Sequence, residues 1–205
     1  MLEWGVSGRP LRGTTESGDG HLVLPVPEGA FLAVVDGLGH GAAAAFAKEA
    51  ALDTLRAGAE EPLPALIERC HLALRETRGV VASLARLDAR AGTVEWFGVG
   101  NVTGVLLRPT PSGEWKSLAH LSPYGGILGH QLPRGSAAPR RQAVEAGDLL
   151  LFATDGLRHG FHLGMRERAA RQPPLEVAHT LLSHHARDTD DAHVLVARIL
   201  SLPEG

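Results

Sequence analysis

Aspartates stand at four strand-like ends of this 205-residue chain: Asp19 just before "HLVLPV", Asp36 closing "FLAVVD", Asp155 closing "DLLLFATD", and Asp190 with Asp191 just before "AHVLVARIL". One Asp-Gly pair at a strand end is ordinary turn chemistry. Several such acids in one small domain are harder to assign to turns alone, and if they converge, their mutual repulsion requires a cation. Carboxylates and backbone carbonyls without a cysteine pair suit Mg²⁺ or Mn²⁺, which keep several waters of their own. Zinc fits less well: the chain has 11 histidines but no H-E-x-x-H, and His184 and His185 read as the polar end of a helix. Two hard ions sharing a bridging carboxylate imply hydrolysis of a phosphate ester.

The elements that must position these acids are legible from periodicity. "HLVLPVP" and "FLAVVD" are apolar runs of strand length separated by Pro, Glu and Gly, the punctuation of a hairpin. After Gly41 the period becomes helical, with Ala44, Ala47, Ala51, Leu52 and Leu55 on one face and Gly58 as the stop. A second helix carries Leu63, Leu66, Ile67, Cys70 and Leu74, begins at Pro62 and Pro64, and ends by Gly79. "VVASLARLD", "TVEWFGVGN" and "TGVLLRP" read as an antiparallel meander. Further strands are expected at 115–121, 140–144, 149–153 and 193–200, with a helix over 175–185. The Gly-, Pro- and Ser-rich stretch 122–139 reads as a loop. Strands mixed with helices in this order predict an α+β fold with helices packed on antiparallel sheets.

Composition bounds the rest. With 44% hydrophobic and 21% charged residues, the chain can bury one substantial core, and a single domain over 1–205 is expected. Lys plus Arg total 20 against 23 for Asp plus Glu, so the net charge of −3 gives no reason to expect nucleic acid as a partner. One cysteine excludes an internal disulfide framework and suits a reducing compartment. No stretch approaches the roughly 20 apolar residues of a membrane span, and the N-terminus lacks a signal-peptide pattern. A cytoplasmic, monomeric protein is the expectation.

In order along the chain, "SGDG", "VVDGLGHG", "GVGN", "GGILG", "GDLLLFATDGL" and "DTDDAHVLVARI" resemble the metal-dependent protein serine/threonine phosphatases of the 2C type. The similarity is to their bacterial sporulation-protein-E branch, and within it to the minimal single-domain phosphatases that reset phosphorylated stressosome scaffold proteins. It spans about Ser17 to Ile199. The resemblance implies a four-layer α-β-β-α sandwich of two antiparallel sheets flanked by helices, with two Mn²⁺ or Mg²⁺ ions between the sheets. It implies that Asp36 bridges both ions, that the Gly37 carbonyl oxygen ligates one, and that Asp155, Asp190 and Asp19 complete the set. Asp191 holds the second, supporting position of the acidic pair. His40 is a candidate acid or a residue shaping the entrance. The implied substrate is phosphoserine or phosphothreonine on a signalling protein, a stressosome scaffold or an anti-sigma-factor antagonist, attacked by a metal-bridging hydroxide.

The chain departs from the family pattern in places. Eukaryotic members hold the phosphate with an early arginine, and although Arg9 and Arg12 lie near that region, spacing identifies neither. The glycines at 37, 39 and 41 fit a backbone approaching metal or phosphate, or equally a tight strand-to-helix turn. Two other readings stay open on sequence: a non-catalytic phosphoprotein-binding module, and a small-molecule phosphohydrolase. The absence of G-x-x-x-x-G-K-[ST] excludes a P-loop enzyme.

Overall fold

Ten strands and three helices follow one another among the residues that the computed structural model describes, 2–112, 114–121, 123–132, 138–163 and 172–202. The strands are β1 (Leu2–Arg9), β2 (Asp19–Val26), β3 (Gly29–Gly37), β4 (Val80–Asp88), β5 (Thr93–Val99), β6 (Thr103–Pro109), β7 (Trp115–Leu121), β8 (Arg140–Ala143), β9 (Leu149–Ala153) and β10 (Ala192–Ile199). The helices are α1 (Ala42–Ala57), α2 (Leu63–Ala73) and α3 (Pro174–His185). They form two five-stranded sheets, ordered β1-β10-β9-β6-β7 and β2-β3-β4-β5-β8, antiparallel at every pairing.

Apolar alternation on the central strands explains the layers. Along β3, Phe31, Ala33 and Val35 face α1 and α2, whereas Ala30, Leu32 and Val34 face the opposite sheet. Along β10, Val194 and Val196 face α3, and Leu195, Ala197 and Ile199 face the other sheet. A strand covered on both faces reads as one uninterrupted apolar run, which is why "FLAVV" and "HVLVA" carry almost no polar residues. The result is α1/α2, sheet, sheet, α3, the expected sandwich. Cys70 lies in the core under α2, as its place in that helix's apolar stripe implied.

Three expectations need correction. β1 adds a strand where none is expected, because Gly5 and Gly8 dilute its pattern; it is an edge strand paired only with β10. Gly5 is required there by α3, since a Cβ would sit 2.3 Å from the Leu175 backbone. The meander is also broken: β4 and β5 pair, but β6 joins the other sheet beside β9. The crossing occurs at Gly100, whose φ of +101° suits glycine alone and whose Cβ would strike Val81 at 2.1 Å. Finally, α2 stops at Ala73, six residues short of Gly79.

The stretch 122–139 is more ordered than a plain loop in its described part. Tyr124 and Leu128 bridge to Val99 and Val80, and Ile127 to Gln131. Residues 122 and 133–137 of that loop expectation lie outside the described residues. No helix among the described residues is long and apolar enough to cross a membrane.

Candidate metal centre

Strand register brings the acids together. Asp19 opens β2 and Asp36 nearly closes β3, and the two stand directly opposite across that antiparallel pair. Directly opposed side chains have Cβ atoms about 5 Å apart, so two carboxylates here repel. From the other sheet, Asp155 follows the end of β9 and Asp190 precedes the start of β10. Those ends are adjacent: Ala153 is in register with Val194, and the Thr154 N–H donates to the His193 carbonyl at 3.1 Å. Four strand ends, two per sheet, thus meet at one edge of the sandwich. A cleft of about 450 Å³ opens there, with Asp36, Asp155 and Asp190 on its wall.

Electrostatics mark the site as charged beyond what it can hold alone. Burial, reinforced by Asp19, Asp155, Asp190 and Asp191, pushes the Asp36 carboxyl up to about 9. Asp19 is pushed up to about 7, by burial first, against a lowering hydrogen bond from Thr154 and with further raising by Asp191, Asp190 and Asp155. Asp190 is raised too, mainly by burial; the Asp191 N–H relieves it, and nearby His40 also lowers it. No Lys, Arg or His lines the cleft among the described residues. Buried and half-buried acids crowded together with no cationic side chain on the cleft wall are the condition a divalent cation corrects.

The donor set fits hydrated Mg²⁺ or Mn²⁺. Among the described residues no three His, Cys, Asp or Glu side chains gather into a cage for one ion. Zinc would want such a cage, whereas Mg²⁺ takes one or two carboxylates and keeps its remaining waters. Acids spread along a cleft therefore suit a hydrated ion of this second kind.

The glycines divide by cause. Gly37 lacks a Cβ because one would lie 2.4 Å from the Ala44 carbonyl of α1, a packing requirement. Gly156 is still tighter, since a Cβ there would fall 1.8 Å from the Asp191 carbonyl oxygen. Gly39 and Gly41 instead have φ of +87° and +72° and make the turn into α1.

Asp191 is shaped as a support. It is only 3% exposed, and its two carboxylate oxygens accept from the Leu11 and Gly18 N–H groups, each at 2.6 Å. It thereby ties down the connection that delivers Asp19. His40 is exposed and lies near Asp190. Arg9 does not reach the cleft: its guanidinium donates to the Arg187 carbonyl at 2.6 Å and to Asp188 at 3.1 Å, and Arg12 also pairs with Asp188.

Two residues given no role on sequence belong to the site. Asn101, at the crossover between sheets, donates from Nδ2 to the Asp155 carboxylate at 2.8 Å. Thr154 is buried, and its hydroxyl donates to Asp19 at 2.7 Å while accepting from the His193 N–H at 3.0 Å. Each belongs to a motif, "GVGN" or "TDG", but only folding supplies the partner carboxylate. Thr154→Val keeps the volume and removes the bond that orders Asp19 and favours its ionised form. Mn²⁺ affinity, measured by calorimetry, is expected to fall about tenfold, the value of one hydrogen bond to a charged group. Thr154→Ser should restore it.

Comparison with known proteins agrees with this geometry. The family model for stage II sporulation protein E (SpoIIE) matches residues 27–200. The phosphoserine phosphatase RsbX of Bacillus subtilis (strain 168) is 33% identical over 130 residues, which cover 61% of this chain and 59% of RsbX, less than two thirds of that protein. Among solved structures, one described as "The bacterial stressosome: a modular system that has been adapted to control secondary messenger signaling" superposes with a TM-score of 0.85 at 32% identity, covering 97% of this chain and all of that one. RsbX in complex with magnesium superposes at 0.79 with 23% identity, covering 97% of this chain and 95% of that one, a likeness of fold.

Proposed function

The chain belongs to the stage II sporulation protein E (SpoIIE) family, and from that premise we propose that it is a metal-dependent phosphatase acting on phosphoserine or phosphothreonine of a bacterial signalling protein. The observation that carries the reading is the meeting of carboxylates from both sheets in one cleft that holds no cationic side chain among the described residues. Similarity to RsbX, a phosphoserine phosphatase, and to a structure described as a stressosome supports a stressosome scaffold or an anti-sigma-factor antagonist as the substrate class. A single domain over 1–205, acting as a monomer in the cytoplasm, completes the proposal.

In this reading Asp36, the Gly37 carbonyl, Asp155, Asp190 and Asp19 would hold two Mn²⁺ or Mg²⁺ ions, with Asp36 as the ligand common to both. The ions would supply the positive charge that a phosphoryl group needs and would acidify water. The chain's own work is positioning. Thr154 fixes Asp19, Asn101 fixes Asp155, and Asp191 fixes the backbone that leads into β2. His40, next to Asp190 and open to solvent, stands where it can shape the entrance or pass a proton.

The test is hydrolysis of p-nitrophenyl phosphate by the purified protein with Mn²⁺, with Mg²⁺ and with chelator. Activity that requires a divalent ion is the expected result. No activity with either ion, together with no Mn²⁺ binding by calorimetry, would instead favour a phosphoprotein-binding module.

A further inference from the structure

A cation stands at the rim of the acid cleft, where two of its lining segments meet. Gly39, from the turn after β3, and Ile127, from the stretch that follows β7, both line the cleft. Arg78 lies between them, on the connection from α2 to β4. Its Nη1 occupies the space beside Gly39, 2.7 Å from where a Cβ on that glycine would fall. On the other side, the adjoining Gly79 packs against Ile127, whose Cγ2 would lie 2.8 Å from a Cβ there. The backbone that carries Arg78 is fixed. The Gly79 N–H donates to the Thr77 hydroxyl at 3.0 Å, that hydroxyl donates to the Leu74 carbonyl at 2.8 Å, and His130 Nε2 donates to the Arg78 carbonyl at 2.9 Å. The Leu38 N–H also donates to the Gly79 carbonyl at 3.1 Å, which ties this connection to the turn that follows Asp36. Arg78 itself is exposed.

Resting on the phosphatase reading, we propose that Arg78 determines specificity by pairing with a carboxylate that flanks the phosphoserine of the substrate. A guanidinium presents a planar fork that matches a carboxylate, and a fixed base lowers the entropy lost when it pairs. Arg78 stands beside the cleft wall and not on it, so it meets what lies next to the phosphoryl group. Residues of an extended peptide advance by about 3.5 Å each, which brings the neighbours of a phosphoserine in the cleft to the rim. The rim is basic around this point. Arg75 and His130 lie near enough to His71 to add to the lowering that burial imposes on it, and Glu76 is the one acid between His71 and Val80. The cleft's own aspartates would repel an acidic flank, so a cation at the mouth decides whether such a substrate is accepted. The favoured substrate is therefore a phosphoserine with Asp or Glu beside it.

The experiment uses the acetylated, amidated peptide Ala-Ala-phosphoserine-Ala-Ala with Mn²⁺, alongside versions in which glutamate or lysine replaces each alanine in turn. The readout is the ratio of kcat/KM for each charged peptide to that for the all-alanine peptide, taken within one enzyme variant, so a general loss of activity cancels. At one position or more, glutamate is expected to raise the wild-type ratio about fivefold, the upper end for an exposed ion pair. Arg78→Gln should bring that ratio to about one, and Arg78→Glu should transfer the preference to lysine at the same position. Arg78 is exposed, so both variants leave the core untouched. A wild type indifferent to glutamate, or a preference that survives both substitutions, would overturn the proposal while leaving the phosphatase reading standing. An equal fall for all peptides in Arg78→Gln, with the ratio kept, would place the guanidinium on the phosphoryl group and overturn it as well. Failure of the wild type to hydrolyse any peptide or p-nitrophenyl phosphate would overturn both.

Discussion

Asp36→Asn is expected to abolish metal-dependent phosphate release while making the metal-free protein more stable. The two effects have one cause. Asp36 is a half-buried carboxylate facing Asp19 across β2 and β3; loss of solvent first, then Asp19, Asp155, Asp190 and Asp191, raises it to about 9. An amide has nearly the same shape but cannot carry the charge a bridging ligand must offer. Turnover of p-nitrophenyl phosphate should fall by about a thousandfold or more, the scale on which losing a main electrostatic element of a site is felt. Without metal, the folded protein holds a proton on this group more tightly than the unfolded chain, where the ordinary value is 3.8. Stability therefore falls as pH rises from about 4 toward 9. The amide removes that liability, so at pH 8 with chelator the mutant should melt about 3 °C or more above wild type, the shift that about 1 kcal/mol gives a chain of this size. A mutant that melts lower, or keeps its metal-dependent activity, would contradict the bridging role.

Metal addition should show the same linkage in the wild type. At a free Mn²⁺ concentration about 100 times its Kd, the stabilisation is about 2.7 kcal/mol, equivalent to a rise of about 5–10 °C in melting temperature. Chelator should reverse it. Because Asp36 and Asp19 are raised to about 9 and about 7, both hold protons in metal-free protein near neutrality. Binding must expel them, so affinity should weaken as pH falls, by about tenfold or more between pH 8 and pH 7. Calorimetry at pH 7 in buffers of differing ionisation enthalpy should register release of about one to two protons. Binding that expels none would mean either that the acids are already ionised or that the cation is held elsewhere.

Much of this architecture is legible in the chain. β3 and β10 are apolar on both faces, so their runs mark central strands of a layered sandwich. The glycines after Asp36 and Asp155 mark the ends of β3 and β9. β1 escaped because an edge strand covered by α3 at Gly5 needs a glycine where a strand pattern needs a side chain. The broken meander escaped because a strand's apolar pattern says which faces are buried but not which neighbour covers them. Gly100 and Asn101 look like any hairpin junction, yet the chain changes sheets there and sets an amide against Asp155.

By itself the sequence determined where the acids stand: carboxylates at strand ends, two helices after Asp36, and no cysteine pair or H-E-x-x-H beside them. Local rules suffice for that, since periodicity, turn residues and ligand hardness act over a few residues. Only the tertiary structure decided which oxygens face the cleft and which are spent on support. Asp190 and Asp191 are neighbours of one type, but the first lines the cleft and the second turns inward to accept the Leu11 and Gly18 amides. Adjacent residues on an extended chain point to opposite sides, and the packing of 11–18 against that inner side, some 170 residues away in sequence, assigns each aspartate its task.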